Sequence, residues 1–136
     1  MRGTKKMAYI SQEKKKELAP AIKAVAKKYG RKVSVGIRNN MKLVVKVKNA
    51  EDIYKRLYAK TIENSNGVYV DPELSELSEF GHLVNDYWIK ERYHKSDHAF
   101  LNELHTSMHS KDFYNNDDAM IDYFDRSYYT AIELHK

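Results

Sequence analysis

Cysteine is absent from all 136 residues, which excludes disulfides, thiolate metal sites and a cysteine nucleophile and makes cytoplasmic residence the natural expectation. Glycine is sparse, at five residues, and none of them forms a phosphate-cradling loop or a Gly-x-Ser-x-Gly elbow. Only two prolines accompany an apolar fraction of 42%, which excludes a low-complexity or disordered chain. No apolar run approaches the roughly 20 residues that span a bilayer, and the N-terminus lacks a signal-peptide core. No membrane association is therefore expected. The last scarcity is of acid in the first part of the chain. Residues 1–60 hold 18 of the 24 Lys and Arg but only 4 of the 19 Asp and Glu, so they sum to +14 and the remainder to −9.

A basic half reads first as a surface for nucleic acid or another polyanion, because displaced counterions supply sequence-independent affinity. An acidic half in the same chain can neutralise that surface in cis. The length suits one domain with its own core. Met7-Ala8-Tyr9-Ile10 reads as a natural start, so residues 1–6 are expected to be a cloning remnant or a disordered start and residues 7–136 a single α+β domain. Without Arg2, Lys5 and Lys6 the first part is still +11.

Leu18, Ile22, Val25 and Tyr29 recur on one helical face between Ser11, an N-cap, and Gly30, a C′ residue. Pro20 is placed on the outer face of that helix, where it removes a donor and bends the axis. Val33, Val35 and Ile37 alternate, as do Leu43, Val45 and Val47, which predicts a β-hairpin over Lys32 to Lys48. Pairing Ile37 with Leu43 keeps the apolar residues on one face and requires a three-residue loop, Asn39 to Met41. The opposite face then carries Lys32, Arg38, Lys42, Lys46 and Lys48, the candidate polyanion contact. Solubilising an exposed sheet is the alternative use of such charge. The face lacks base-stacking aromatics, so a binder built on it would be largely blind to sequence.

Further on, Asn49 is the expected N-cap of a second helix, with Asp52 at N3 and Ile53, Leu57 and Ile62 facing inward. Val68 to Val70 suggests a short strand, Glu73 to Phe80 a short helix, and Leu83 to Tyr93 fits either strand or helix with core aromatics. Asp97 to Ser110 reads as a helix capped by Ser96 that buries Phe100, Leu101, Leu104 and Met108. Tyr128 to Leu134 reads as a closing strand. The predicted fold is α+β, a small antiparallel sheet made of the hairpin and the C-terminal strand, with three or four helices packed mainly on one face.

Chemical motifs are few. His98, His105 and His109 share an arc of one helix, and His105 and His109 have the i, i+4 spacing of two metal ligands. The helix lacks the Glu of His-Glu-x-x-His, so ordinary hydrogen bonding is the expected role of these histidines and no cofactor is expected. Asp112, Asp117, Asp118, Asp122 and Asp125 interleave with aromatics; turn chemistry accounts for them more simply than a magnesium site. Tyr114, Tyr123, Phe124 and Tyr128 among them are candidate protein-interface anchors.

Taken together, Tyr9 to Glu13, Lys16 to Pro20, Ala24 to Gly30, Ser34 to Asn40, Leu43 to Val45, Val84 to Ile89, Phe100 to Leu104, Asp122 to Phe124 and Tyr129 to Ile132 resemble a group of small phage-encoded proteins. The N-terminal part also resembles modules of large polyvalent proteins of mobile elements. The likeness omits Asn49 to Leu83. It implies a mobile-element accessory role and carries no catalytic residues. The expectation is a non-enzymatic accessory protein that binds nucleic acid or another polyanion through the hairpin face; a protein-binding or self-associating module meeting a host or phage protein or another copy through the acidic, Tyr-rich C-terminal surface is the alternative, and a metal-dependent hydrolase the third class.

Overall fold

The structure is a computed structural model, described here over residues 9–110 and 128–136. In chain order these form α1 (Gln12–Lys28), β1 (Val33–Arg38), β2 (Lys42–Val47), α2 (Glu51–Asn64), β3 (His82–Leu83), α3 (Ile89–Arg92), α4 (Lys95–Ser107) and β4 (Tyr129–Leu134), with 3-10 turns at Pro72–Ser75 and Asp86–Trp88. The class is α+β, as the patterning predicts.

Capping decides where α1 begins and ends. The Ser11 hydroxyl accepts from the Lys14 amide at 3.0 Å, filling one of the orphan donors of the first turn. At the other end Gly30 takes φ +67°, and the Gly30 and Arg31 amides return to the Lys27 and Ala26 carbonyls at 3.1 and 2.8 Å, a Schellman closure that favours glycine. The helix runs through Pro20, which is exposed. The hairpin follows the expected register, Val33 with Val47, Val35 with Val45 and Ile37 with Leu43. Asn39 and Asn40 both adopt φ +56°, which asparagine tolerates in tight turns, and Met41 donates back to Arg38.

The sheet order is β1-β2-β4-β3. The expected antiparallel arrangement holds for β1 with β2 and for β3 with β4, but β4 runs parallel to β2 with Val45 beside Ile132. The long connection between them carries α2, α3 and α4 among its described residues and so supplies the crossover a parallel pair requires. Val45, Val47, Ile132 and Leu134 meet Leu18, Ile22, Ile53, Leu101, Leu104 and Met108 in one buried cluster. Its helical partners thus cover one sheet face. Val44 and Ala131 are also buried but have the opposite parity.

Several local expectations give way. Asn49 does not cap α2: it takes φ +53°, and Ala50 occupies the cap with no side-chain bond, its amide spent on the His135 carbonyl at 2.8 Å. Asp52 accordingly sits at N2. Ser96 does not cap α4, because His94 Nδ1 accepts the Ser96 amide at 3.1 Å. Ile62 is 49% exposed, since the inward face of α2 ends at Leu57. Val68 to Val70 forms no strand, and only Pro72–Ser75 of the proposed short helix is helical. The ambiguous stretch divides between β3, a 3-10 turn and α3, with Tyr93 buried and Trp88 45% exposed.

What locks the helices in position is ionic. Arg31 makes two bonds to Asp52 at 2.8 and 2.5 Å, Arg56 donates to Asp52 at 2.9 Å, and Arg56 forks onto Asp97 with two bonds of 2.8 Å. Asp97 is 4% exposed and stands in the first turn of α4, where the helix dipole favours a carboxylate. Replacing Arg56 by Ala strands that buried charge. Urea denaturation of Arg56→Ala should show a loss of about 3 kcal/mol, the lower end of the range for a broken buried pair because Arg56 is partly open to water. Gly30→Ala, which meets open space but keeps a positive φ, should lose only about 1 kcal/mol.

Candidate functional site

The register places the five hairpin cations on one side of the two strands, but at different ends of it. Arg38, Lys42 and Lys46 project from the open sheet face. Arg38 there binds Glu133 at 3.0 Å, four residues along the sheet from the Arg38, Lys42 and Tyr129 row. Its side chain therefore crosses the face diagonally, over the row of Gly36, Val44 and Ala131. Burial by itself would raise the pKa of Glu133, but the hydrogen bonds from Arg38 and His135 outweigh it and hold the carboxyl below its ordinary value. One of the three cations on this face is thereby neutralised.

Lys32 and Lys48 lie at the other end of the hairpin, joined by a 2.9 Å bond from the Lys48 amide to the Lys32 carbonyl. They border an open depression of about 500 Å3 lined by Lys23, Ala26, Lys27, Gly30, Arg31, Lys32, Val33 and Lys48. The Schellman closure creates it, because the chain reverses at Gly30 and brings the last turns of α1 beside the start of β1. Lys23, Lys27, Lys32 and Lys48 are exposed, and none forms an ion pair among the described residues. Arg31 differs, since its guanidinium is clamped by Asp52, which raises its pKa further. Lys23 and Lys27 are missing from the site expected from the hairpin pattern. Their i, i+4 spacing just before a C′ glycine is the sequence signal that places them there.

The acidic second half does meet the basic first half, at particular points. Besides Arg38 with Glu133 and Arg56 with Asp97, Lys28 binds Glu103 at 2.8 Å, and the Tyr29 hydroxyl donates to the same carboxylate. Hydrogen bonds from Lys28 and Tyr29 hold Glu103 below its ordinary pKa. These contacts consume Lys28, Arg38 and Arg56 and leave the four groove lysines unmatched.

The histidines are occupied. His98 Nε2 meets the Tyr93 carbonyl at 2.8 Å, His105 Nε2 meets Asp86 at 2.9 Å, and His109 bridges the His105 carbonyl and the Thr130 hydroxyl. The His105 and His109 rings lie 4.4 Å apart, and no group of three or more ligating side chains gathers among the described residues. Tyr128 is 2% exposed and donates to the Met108 carbonyl at 2.6 Å; burial pushes its phenol up to about 12. It is a core residue and not an interface anchor. Tyr114, Tyr123, Phe124, the five aspartates between Asp112 and Asp125, and residues 1–6 lie outside the described residues. Among the described residues no helix is long and apolar enough to cross a membrane.

Comparison with known proteins gives no match to a family model, a curated protein or a solved structure.

The charge ladder behind the groove has a defined pH response. Hydrogen bonds from Arg31 and then Arg56 hold the Asp52 carboxyl well below its ordinary value of 3.8. A pKa depressed by folding stabilises the fold above the ordinary value and loses that contribution as pH falls toward the folded one. Urea midpoints of the wild type should therefore drop steeply below about pH 4. Asp52→Asn should start lower at pH 7 and fall less over the same acid range; parallel curves for the two proteins would contradict the ladder's role.

Proposed function

We propose that the protein is a non-enzymatic binding protein that holds a polyanion, foremost the phosphate backbone of duplex nucleic acid, in the groove between the end of α1 and the start of the hairpin. The observation that carries this reading is the convergence of Lys23, Lys27, Lys32 and Lys48, all exposed and all without acidic partners among the described residues, on one depression. Four other basic groups, Arg31, Arg56, Lys28 and Arg38, meet carboxylates instead. Lys46, two residues before Lys48 on the same side of its strand, extends the positive surface toward the open sheet face. The lining contains no aromatic side chain, which favours backbone contact over base stacking and binding without sequence preference. The resemblance to phage-encoded proteins supports placing this activity in a mobile element's accessory set.

A protein contact is the second reading, and its location changes. With Tyr128 in the core, exposed apolar side chains instead gather in the sequence between Val68 and Trp88, where Tyr69 is 80% and Phe80 86% exposed. Self-association through them would persist at high salt, whereas a charge-held oligomer would dissolve.

Fluorescence anisotropy with a short DNA duplex tests the first reading. Four phosphate contacts predict a slope of log affinity against log salt of about −3.6, a loss of roughly 100-fold between 50 and 200 mM salt. Lys23→Ala and Lys32→Ala should each reduce the slope by about 1. Absence of binding at low salt, or loss of binding on Lys42→Ala with the groove variants unaffected, would refute it.

A further inference from the structure

A second concavity, of about 290 Å3, lies between α2 and the chain running from Val70 through β3 to α3. Tyr54, Leu57, Tyr58 and Leu74 are among its walls. The wall hydroxyls are already spent, Tyr54 on the Leu74 carbonyl at 2.6 Å and Tyr58 on the Asp71 carbonyl at 3.3 Å. The residue at its floor is not satisfied. Tyr93 is 2% exposed, and its hydroxyl is a buried polar atom with no partner, a condition that is destabilising relative to a satisfied group and calls for an explanation. Burial drives its phenol far above the ordinary range, so it is a hydrogen-bond donor at neutral pH. Arg92 lines the same cavity. Its guanidinium lies 5.4 Å from the Trp88 ring centre, it pairs with no carboxylate among the described residues, and its charge acts on the Tyr93 hydroxyl. His82, on the same wall, is turned edge-on to Tyr54.

An aromatic-walled hole at the small end of ligand-site volumes, with one uncommitted donor and one uncommitted cation, has a narrow chemical complement. The walls suit a flat apolar body, the volume suits a single ring, and the buried Tyr93 hydroxyl and the exposed Arg92 both lack an acceptor among the described residues. We propose that this cavity binds a small monocyclic aromatic acid, its ring against Tyr54 and Leu57 and its carboxylate taken by Arg92 and the Tyr93 hydroxyl. This site is independent of the polyanion groove and would survive that reading's failure.

Trp88 is the only tryptophan in the chain and lies against the guanidinium that would hold the carboxylate, so its emission reports occupancy. Titration with benzoate should give a saturable change with a dissociation constant of about 0.1–1 mM, confirmed by calorimetry. Benzamide, isosteric but uncharged, should bind at least about 10-fold more weakly, as should benzoate to Arg92→Gln. Tyr93→Phe should weaken benzoate by about 5-fold or more while leaving the melting temperature unchanged or higher, because it removes an unpaired buried hydroxyl. No saturable change by either method up to about 10 mM benzoate, equal affinity for benzamide, or unchanged binding to Tyr93→Phe would each overturn the proposal.

Discussion

The continuous ladder Arg31, Asp52, Arg56, Asp97 is the interaction on which the remaining arrangement depends. It ties the turn after α1 to the first turn of α2, and α2 to the first turn of α4, through charge-assisted bonds of 2.5 to 2.9 Å. Two of its members serve the helices on which they stand, since Asp52 and Asp97 occupy first turns where a carboxylate opposes the helix dipole. Asp97 is buried, so its pairing is an obligation as well as a gain. With Arg31 held in this way, the Gly30 reversal is fixed from both sides, by the backbone closure onto Ala26 and Lys27 and by the guanidinium beyond it. The groove exists because that reversal is fixed.

Two sets of basic residues differ in their surroundings. Lys28, Arg31, Arg38 and Arg56 are structural cations, each answered by Glu103, Asp52, Glu133 or Asp97. Lys23, Lys27, Lys32 and Lys48 have no acidic partner among the described residues and are gathered at one place. Lysines on a solvated helix face are ordinarily dispersed, and those in a last turn can serve the helix dipole, which Lys27 does. Neither role accounts for the convergence of two strand-end lysines with two helical ones.

Much of the fold was legible because short-range pattern and burial agree. The alternation of Val33, Val35 and Ile37 against Leu43, Val45 and Val47 determines a register and a loop length, since a slip by one would expose every one of them. Ser11 and Gly30 bracket α1 because cap chemistry is local. The parallel pairing of β4 with β2 was not legible, as strand direction depends on a connection that leaves no mark on either strand. Nor were the caps of α2 and α4, where a backbone bond from Ala50 to His135 and the His94 ring override the better cap-formers Asn49 and Ser96. The site was half legible. Alternation finds Lys32 and Lys48, but it groups them with Arg38 and Lys42 because period-two reasoning sees faces and not ends. The partnership of Lys23 and Lys27 with them is a tertiary fact created by the turn at Gly30, and the answer of Glu133 to Arg38 is another, made across 95 residues.

Amide chemical-shift mapping during titration with a short DNA duplex at low salt tests the central claim most directly. Perturbations concentrated at Lys23, Lys27, Gly30 to Val33 and Lys48, with Arg38 and the Val68 to Trp88 stretch unmoved, are the predicted result. Perturbations centred on the open sheet face, or on Tyr69 and Phe80, would contradict it.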